Sequence, residues 1–257
     1  PEAGSDLASL RTRAVRQGGE HDGDGAQIWT SYANHADWIF CLVRTDPNVK
    51  KHNGISFLLF DMTSPGVSTR PIRLISGASP FCETFFDNVR VPKENLVGNL
   101  NEGWSIAKAL LEHERKMIAS IGERQRGADR SLPDIARQHA GEIDGRIADA
   151  SLRDGIAKLT MDWHAFRLTQ QRAAEEAKAG GAPGPASAMF KYYGTELNKR
   201  KYELMLAAFG NRALGWEGEG FEEDELRITR EWLRSKANSI EGGTSEVQLN
   251  IISKRVL

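Results

Sequence analysis

Up to residue 99 the chain alternates short apolar runs with polar turn residues, a pattern typical of β-strands. Runs rich in β-branched and aromatic residues are each bounded by Gly, Pro, Asn, Asp or Ser. They are AQIWTS, DWIFCLVRT, GISFLLFDM, GVSTRPIRLI and ETFFDNVRV. Pro92 and the polar residues KEN end the last run. Strands at this spacing favour a small barrel or sandwich, so we predict a β-rich domain over residues 1–99.

From Glu102 onward the apolar residues recur with the period of α-helices. The pattern predicts helices near 102–127, 145–179, 184–211, 223–240 and 245–257. The segment GGAPGP at 180–185 indicates a turn whose last proline starts the next helix. Long helices with short connections favour an antiparallel bundle, which we assign to residues 100–257. The predicted fold class is therefore α+β, with a β domain followed by a helical domain.

Composition excludes some classes of function. The formal net charge of -1 gives no indication of a nucleic acid or an anionic membrane as partner. No apolar run is long enough to predict a membrane-spanning helix. Cys41 and Cys82 lie inside strand-like runs without a CxxC motif, which indicates reduced core thiols. The histidines are scattered, so we expect no metal site, and we expect a cytoplasmic protein.

The helix predicted from residue 102 carries an acid where its apolar face calls for a hydrophobic residue. The apolar positions at i, i+3 and i+4 spacing are Ala107, Leu110, Leu111, Met117, Ile118 and Ile121. Glu114 falls at the centre of this stripe. Apolar surroundings raise the pKa of a carboxyl group towards neutrality, as a general base requires. Spacing alone favours the alternative, a buried ion pair with an arginine of a neighbouring helix.

The C-terminal segment NSIEGGTSEVQLNIISKRVL combines an acid, two glycines and a helix start. Ser245 and Gln248 have the spacing of a capping box, ahead of an apolar helix face. Gly242 and Gly243 allow positive φ angles and a close backbone approach just before the cap. The free N–H groups of such a helix start suit a phosphate, a carbonyl or a flavin edge. Taken alone, the pattern favours a plain interhelical turn.

Several segments of the sequence occur in the order found in one enzyme family. They are PEAGSD, IWTS, GISFLLFDM followed by GV, ETFFDNVRVPKENLVG, EGWSIAKALLEHER and EGGTSEVQLNIISKRVL. Over nearly its whole length the chain resembles the acyl-CoA dehydrogenase family. The resemblance implies a middle β domain, barrel-like or sandwich-like, and a C-terminal antiparallel four-helix bundle. We expect the family's N-terminal helical domain to be absent from this chain.

The resemblance also implies a flavoenzyme. The implied reaction is α,β-dehydrogenation of an acyl-CoA thioester, in which a carboxylate removes the α-proton and the β-hydrogen leaves as hydride to FAD. The α-proton becomes removable when hydrogen bonds hold the thioester carbonyl and the site excludes water. The family commonly passes its electrons to an electron-transferring flavoprotein, and its members form homodimers or homotetramers.

The matching motifs imply which residues bind cofactor and substrate. The implied cofactor-binding residues are Ala3, Gly4, Ser5, Trp29, Thr30, Ser31, Thr244 and Glu246. The implied substrate-binding residues are Ser5, Glu112, Arg115 and Gly242. Ser31 matches the hydroxyl near flavin N5. Gly242 retains the backbone N–H that binds the thioester carbonyl in the family.

Two glutamates are candidates for the catalytic base. Many family members place the base directly before the terminal GT, where this chain has Gly242; Glu241 stands one residue earlier. That offset displaces the side chain by several ångströms, whereas a base must come within ~3 Å of the atom that carries its proton. Isovaleryl- and long-chain-type members carry the base on the first bundle helix, directly before an arginine. This chain has Glu114 before Arg115 there, so we prefer Glu114 and keep Glu241 as the alternative.

Two other functions fit the same resemblance. The chain could be a non-catalytic or partner subunit of a heteromeric acyl-CoA dehydrogenase assembly, without a working base. It could also be an oxidase relative on the same fold, which passes electrons to oxygen. The sequence does not indicate the length or branching of the acyl chain.

Overall fold

The computed structural model describes residues 3–119, 130–179 and 186–255, apart from the side chains of residues 112, 115–119 and 186. The chain divides into two compact units, Pro1–Glu112 and His113–Leu257. We call them the sheet unit and the helical unit. The predicted domain boundary between residues 99 and 100 stays a prediction.

The sheet unit contains a mixed sheet of seven strands in its described part. In chain order these are β1 (Arg13–Gln17), β2 (Glu20–Ser31), β3 (Trp38–Arg44), β4 (Ile55–Asp61), β5 (Val67–Ile72), β6 (Phe81–Pro92) and β7 (Leu96–Val97). Their order across the sheet is β5-β6-β2-β1-β3-β4-β7. Neighbours are antiparallel except where β1 meets β3. The five predicted runs correspond to β2 through β6, so these strands are confirmed.

The sequence pattern missed β1 and the first half of β2 because both are polar. β1 has the sequence RAVRQ and buries only Ala14. The first half of β2, EHDGDG, buries His21 and Gly23. A Cβ on Gly23 would lie 2.8 Å from Phe60 Cε1. The bare backbone at Gly23 therefore makes room for an aromatic ring of β4.

A cluster of apolar side chains forms the core of the sheet unit. Its buried members are Ala14, Ile39, Cys41, Val43, Leu58, Phe60, Phe86, Val89 and Val91. Cys41 and Cys82 are both buried free thiols, as predicted. Burial raises the pKa of the Cys41 thiol, so it stays protonated and acts as a small apolar group.

Helix α1 (Gly103–Ala119) begins against strand β4. Asn101 N donates to Ser56 Oγ at 2.8 Å, and Thr45 Oγ1 donates to Asn101 Oδ1 at 2.6 Å. A Cβ on Gly103 would lie 2.6 Å from the carbonyl carbon of Ser56, so only glycine lets the helix approach so closely. The helix starts within one residue of the predicted position, and its predicted end near 127 lies outside the described residues.

Five further α-helices follow α1 in the described part of the helical unit. They are α2 (Leu132–Ala140), α3 (Ala150–Lys178), α4 (Ala186–Phe209), α5 (Glu223–Ser235) and α6 (Ser245–Arg255). A short hairpin, β8 (Glu142–Ile143) and β9 (Arg146–Ile147), joins α2 to α3. The helix predicted over 223–240 ends at Ser235, and a 3-10 turn, Lys236–Ser239, follows it. The turn predicted at 180–185 lies outside the described residues.

The sequence prediction started α3 too early and missed α2. Asp144 and Gly145 have φ angles of 51° and 73° and form the hairpin turn between β8 and β9. An Asp-Gly pair favours such a turn over a helix. Asp149 then caps α3, accepting a hydrogen bond from Leu152 N at 2.8 Å. Helix α2, capped by Ser131, has only nine residues and a proline in its first turn, which made its period hard to detect.

Helix α4 packs against α2, α3, α5 and α6. It runs antiparallel to α3, because Gly155 of α3 meets Leu204 of α4 whereas Phe166 of α3 meets Gly194. The core of the unit comprises Leu132, Ile135, Ala136, Ile147, Leu152, Ile156, Leu159, Phe166, Leu197, Tyr202, Met205, Ala208, Phe209 and Ile228. The predicted α+β class, with a helical domain after the sheet, is confirmed.

A buried carboxylate anchors the segment between α4 and α5. Glu225 is 1% exposed, and both of its oxygens accept hydrogen bonds from Arg212, with 2.6 Å between Nη2 and Oε2. Glu222 N donates to the same Oε2 at 2.8 Å, which forms part of a capping box at the start of α5. The Arg212 guanidinium lowers the pKa of Glu225, so the carboxylate stays ionised.

Candidate active site

In the sheet unit, strand β2 is irregular at the residues expected to face the flavin. Its register against β6 shifts between Gln27 and Thr30, where two residues of β2 oppose one of β6. This is a β-bulge, a feature found at functional sites. Trp29 lies in the bulge with φ 66°, a conformation rare for a bulky residue. Its ring is 56% exposed and meets Phe81 edge to face.

Two residues with hydroxyl groups follow Trp29 directly in the chain. Thr30 is half-buried, and Ser31 is exposed at the end of β2. Tyr32 follows with φ 50°, its N–H donating to Pro80 O at 2.8 Å. An indole beside two hydroxyls suits stacking and hydrogen bonding to a planar heteroaromatic group.

The N-terminal loop of the sheet unit is anchored next to its predicted ligand-facing residues. Ala3 packs against a small apolar cluster, whereas Gly4 and Ser5 are exposed. Lys51 Nζ lies 2.8 Å from both carboxylate oxygens of Asp6 and lowers the pKa of that acid. The loop is therefore held at Asp6 while Gly4 and Ser5 stay open to solvent.

Glu114, the preferred base, is half-buried on helix α1. Ala107 on the same predicted stripe is buried, in agreement with an apolar face there. Among the described side chains, none forms a hydrogen bond or ion pair with the Glu114 carboxylate. The side chains of Glu112 and Arg115 lie outside the described residues, so their proposed contacts with CoA stay predictions.

The terminal turn, residues 241–244, contains two left-handed glycines. Gly242 has φ 63° and Gly243 has φ 91°. The positive φ of Gly243 favours glycine, and a Cβ there would lie 2.5 Å from Gln248 Nε2 and displace that amide. Within the described part of the chain, the backbone N–H groups of Gly242 and Gly243 donate no hydrogen bond. These donors are available to a ligand.

The predicted cap of the terminal helix is wrong by one residue. Helix α6 begins at Ser245, and Thr244 Oγ1 accepts a hydrogen bond from Val247 N at 3.2 Å. Ser245 Oγ instead donates to Ser239 O at 3.3 Å. Adjacent Thr and Ser have similar capping preferences, so the sequence pattern could not separate them.

Two buried side chains hold the carbonyl groups of the terminal turn. Lys191, fully buried on α4, donates through Nζ to Gly243 O at 2.7 Å. Gln248 was expected to reach back to the helix cap, but its Nε2 donates to Gly242 O at 3.3 Å. The sequence analysis missed Lys191, although a lysine within SAMFKYY, a mostly apolar part of a helix, was a detectable signal.

Glu241, the alternative base, is engaged by its own turn. Arg234 Nη2 lies 2.7 Å from Glu241 Oε2, and Asn238 Nδ2 donates to Oε1 at 2.5 Å. Both carboxylate oxygens are therefore occupied by donors from the preceding residues. Such an arrangement stabilises the chain reversal before α6.

Burial and nearby carboxylates have opposite effects on the pKa of Lys191. Burial lowers the pKa of Lys191, and the nearby carboxylates of Glu241, Glu196 and Glu246 act in the opposite direction. The exposed Glu246 accepts hydrogen bonds from its own backbone N–H and from the Thr244 hydroxyl, which lower its pKa. The turn thus combines a buried cation with surrounding anions.

Both units match models of known domain families. Residues 1–89 match the middle domain of acyl-CoA dehydrogenases, and residues 101–257 match their C-terminal domain. The chain belongs to the acyl-CoA dehydrogenase family. The resemblance deduced from the sequence motifs is therefore confirmed.

Curated relatives of this acyl-CoA dehydrogenase chain are longer than the chain itself. Acyl-CoA dehydrogenase FadE34 of Mycobacterium tuberculosis is 36% identical over 257 residues, which cover 100% of this chain and 34% of that protein. Acyl-CoA dehydrogenase IpdE1 of the same organism is 33% identical over 261 residues, covering 100% of this chain and 64% of that protein. The chain therefore spans less than two thirds of the length of these relatives.

Solved structures agree with the fold. The Tcur3481-Tcur3483 steroid ACAD matches with a TM-score of 0.87 and 31% identity, over 99% of this chain and 65% of that chain. The ChsE4-ChsE5 complex from Mycobacterium tuberculosis matches with a TM-score of 0.80 and 30% identity, over 100% of this chain and 66% of that chain. Each of these names joins two proteins.

The described residues contain neither a metal cluster nor a membrane-spanning helix. No cluster of three or more His, Cys, Asp or Glu side chains there could hold a metal ion. No described helix combines the length and apolar character needed to cross a membrane.

Proposed function

We propose that this chain takes part in the FAD-dependent α,β-dehydrogenation of an acyl-CoA thioester. The observation that carries the proposal is membership of the acyl-CoA dehydrogenase family across both units. The terminal turn adds support, because its N–H groups suit a carbonyl oxygen that gains negative charge as an α-proton leaves. Gly242 keeps such a donor although it has no side chain.

The residues present fit a flavin. The exposed indole of Trp29 and the hydroxyls of Thr30 and Ser31 would hold a planar ring, and the exposed Gly4 and Ser5 would line an extended ligand. In the helical unit, Thr244 and Glu246 would contact the cofactor at the start of α6. FAD, when bound, would supply the acceptor for the β-hydrogen.

Glu114 is the better candidate for the base. A base needs a carboxylate that is not already committed to other donors and that sits in apolar surroundings. Glu114 is half-buried, and no described side chain forms a hydrogen bond or ion pair with it. Glu241 has both oxygens occupied by Arg234 and Asn238, which favours a structural role.

A matched pair of variants tests the base. In the purified flavoprotein, Glu114→Gln should retain bound FAD but no longer lose its visible flavin absorbance when acyl-CoA is added without oxygen. Glu241→Gln should still bleach. Normal bleaching by Glu114→Gln would eliminate it as the base, and loss of bleaching in Glu241→Gln alone would make Glu241 the base. The substrate panel includes short, branched and long acyl-CoA thioesters and steroid acyl-CoA thioesters.

A second function is a partner subunit of a heteromeric assembly. It is favoured because two of the matching structures carry names that join two proteins, and because Gly242 lacks a carboxylate where many family members have one. In that case the protein purified alone would not bleach, and co-expression with a second acyl-CoA dehydrogenase chain would restore turnover. Full turnover by the protein alone, as a homodimer or homotetramer, would eliminate the partner-subunit hypothesis.

The electron acceptor can be assigned in the same preparations. We propose an electron-transferring flavoprotein, whose reduction should accompany acyl-CoA oxidation. Hydrogen peroxide released in air at the rate of turnover would instead identify an oxidase. A cytoplasmic location is proposed from composition alone.

A further inference from the structure

The terminal turn is held by its carbonyl oxygens. Lys191 binds Gly243 O and Gln248 binds Gly242 O, so two successive peptide units are each fixed at one end. Both peptide bonds are trans. In a planar trans peptide the C=O and N–H groups point in opposite directions. The N–H groups of Gly243 and Thr244 are therefore directed away from the two side chains that bind the carbonyls.

Without these two hydrogen bonds, the turn would be very flexible, because glycine has more backbone freedom than any other residue and two glycines stand in succession here. A donor can stabilise a developing negative charge only when it is oriented before the reaction, because reorientation during the reaction removes the benefit. The anchors at Gly242 O and Gly243 O supply that orientation.

Lys191 is an unusual choice for a residue that only fills space. It is fully buried, and a methionine would fill a similar volume without burying an ammonium group. Its acceptor lies 52 residues away in the chain, on the backbone of the terminal turn. Replacing the lysine would therefore remove the donor while leaving the packing of α4 nearly intact.

We propose that Lys191 is a positioning residue for the dehydrogenation: by holding the Gly243 carbonyl it fixes the backbone conformation of the terminal turn, and this conformation sets the orientation in which the free Gly242 and Gly243 N–H groups meet the thioester carbonyl oxygen. Gln248 does the same for the neighbouring peptide unit. This inference rests on the proposed function, and it assigns Lys191 no direct contact with substrate.

The test compares Lys191→Met with Lys199→Met. Lys199 lies two turns further along α4 and binds Glu196 at 2.7 Å and Ser239 Oγ at 3.3 Å. The control thus removes a neighbouring cation without touching the Gly242 or Gly243 carbonyl. Gln248→Leu removes the second anchor and guards against a folding defect specific to Lys191→Met.

Two measurements decide the question. The first is steady-state kinetics with acyl-CoA, where Lys191→Met should lower kcat by at least about tenfold and leave KM within about threefold. The second is amide hydrogen exchange at Val247 and Gln248, whose N–H groups bind Thr244. Exchange there should accelerate in Lys191→Met and in Gln248→Leu but not in Lys199→Met.

The possible failures are distinct. If Lys191→Met has the same kcat as Lys199→Met, the proposal is overturned. Faster exchange in that case would show that Lys191 stabilises the turn without affecting the reaction. If exchange stays as in the wild type, the lysine does not hold the turn and the proposal also fails. If the wild-type holoenzyme oxidises no acyl-CoA, the proposed function itself fails, and this inference with it.

Discussion

Replacing the buried Glu225 by glutamine should destabilise the helical unit in a pH-dependent way. The glutamine amide has the same shape, but only one of its two polar atoms is an acceptor. If the amide oxygen keeps the bond from Glu222 N, the NH2 group faces the Arg212 guanidinium, which is itself a donor. The amide oxygen can still accept from Arg212 Nη2, but the NH2 group now opposes Arg212 Nε, so the substitution removes the negative charge and one of the two charge-assisted hydrogen bonds.

The expected cost is about 2 kcal/mol at neutral pH, from the ~1.5–3 kcal/mol typical of a hydrogen bond to a charged group. The side chain of Arg212 is 44% exposed, so the guanidinium can turn to water, which keeps the cost below that of a fully buried unpaired cation. A loss of this size lowers Tm by about 4–8 °C in a chain of this length.

The pH dependence has a defined sign. The pKa of Glu225 is lowered in the folded protein from its ordinary 4.5, so its charge contributes stability above that value. This contribution disappears as the pH falls from about 4.5 through the lowered folded pKa. Wild-type stability should therefore fall towards that of Glu225→Gln under acid conditions, because the variant has no charge to lose at this position.

Urea unfolding followed by circular dichroism, repeated from neutral to acidic pH, measures both effects. His139 Nδ1 lies 4.0 Å from Glu225 Oε1, so the series is repeated in a His139→Gln background. Glu223→Gln, an exposed residue in the same turn, is the control and should cost far less. A loss below ~0.5 kcal/mol, or one that does not change with pH, would refute the reasoning.

Three further substitutions or treatments follow from the packing. Gly103→Ala should lower the free energy of unfolding by at least about 2 kcal/mol, because its Cβ would meet backbone atoms of β4. The free energy of unfolding of Gly155→Ala should stay within about 1 kcal/mol of wild type, because its Cβ meets only the end of a flexible leucine and helix propensity improves. Urea unfolding compares the two, and equal losses would contradict this account. Trp29→Gly should relieve the strained φ angle and leave Tm unchanged or higher. The same variant should bind FAD at least about tenfold more weakly when FAD is titrated into the protein. Retained affinity would exclude a flavin contact at Trp29. Cys41 and Cys82 should resist alkylation by iodoacetamide in the native protein and react after denaturation, and rapid native labelling would disprove their burial.

The periodic elements of both units could be predicted from the sequence because their apolar faces are buried. Strands β3 and β4 and helices α3 and α4 have long apolar runs or stripes, and their positions agree with the predictions to within a few residues at most ends. β1 escaped because RAVRQ buries almost nothing, and the Asp144–Gly145 turn was hidden inside a segment assigned to a helix.

The candidate site was predictable only where a local motif carries it. The glycines of the terminal turn and the segment around Trp29 stand out in the sequence, whereas the bulge and its left-handed φ depend on pairing with β6. Lys191 and Gln248 acquire their roles only when α4 and α6 pack together, which no local pattern encodes. The choice between Glu114 and Glu241 is still a prediction.

The hydrogen bond from Lys191 to Gly243 also bears on the order of events during synthesis. Helix α4 leaves the ribosome well before the terminal turn, since 52 residues separate the donor from its acceptor. Until Gly243 arrives, the ammonium group has no such acceptor, and burying it would leave a charge unpaired. The face of α4 that carries Lys191 should therefore remain hydrated on the nascent chain. Completion of the terminal turn then becomes the step that closes the helical unit.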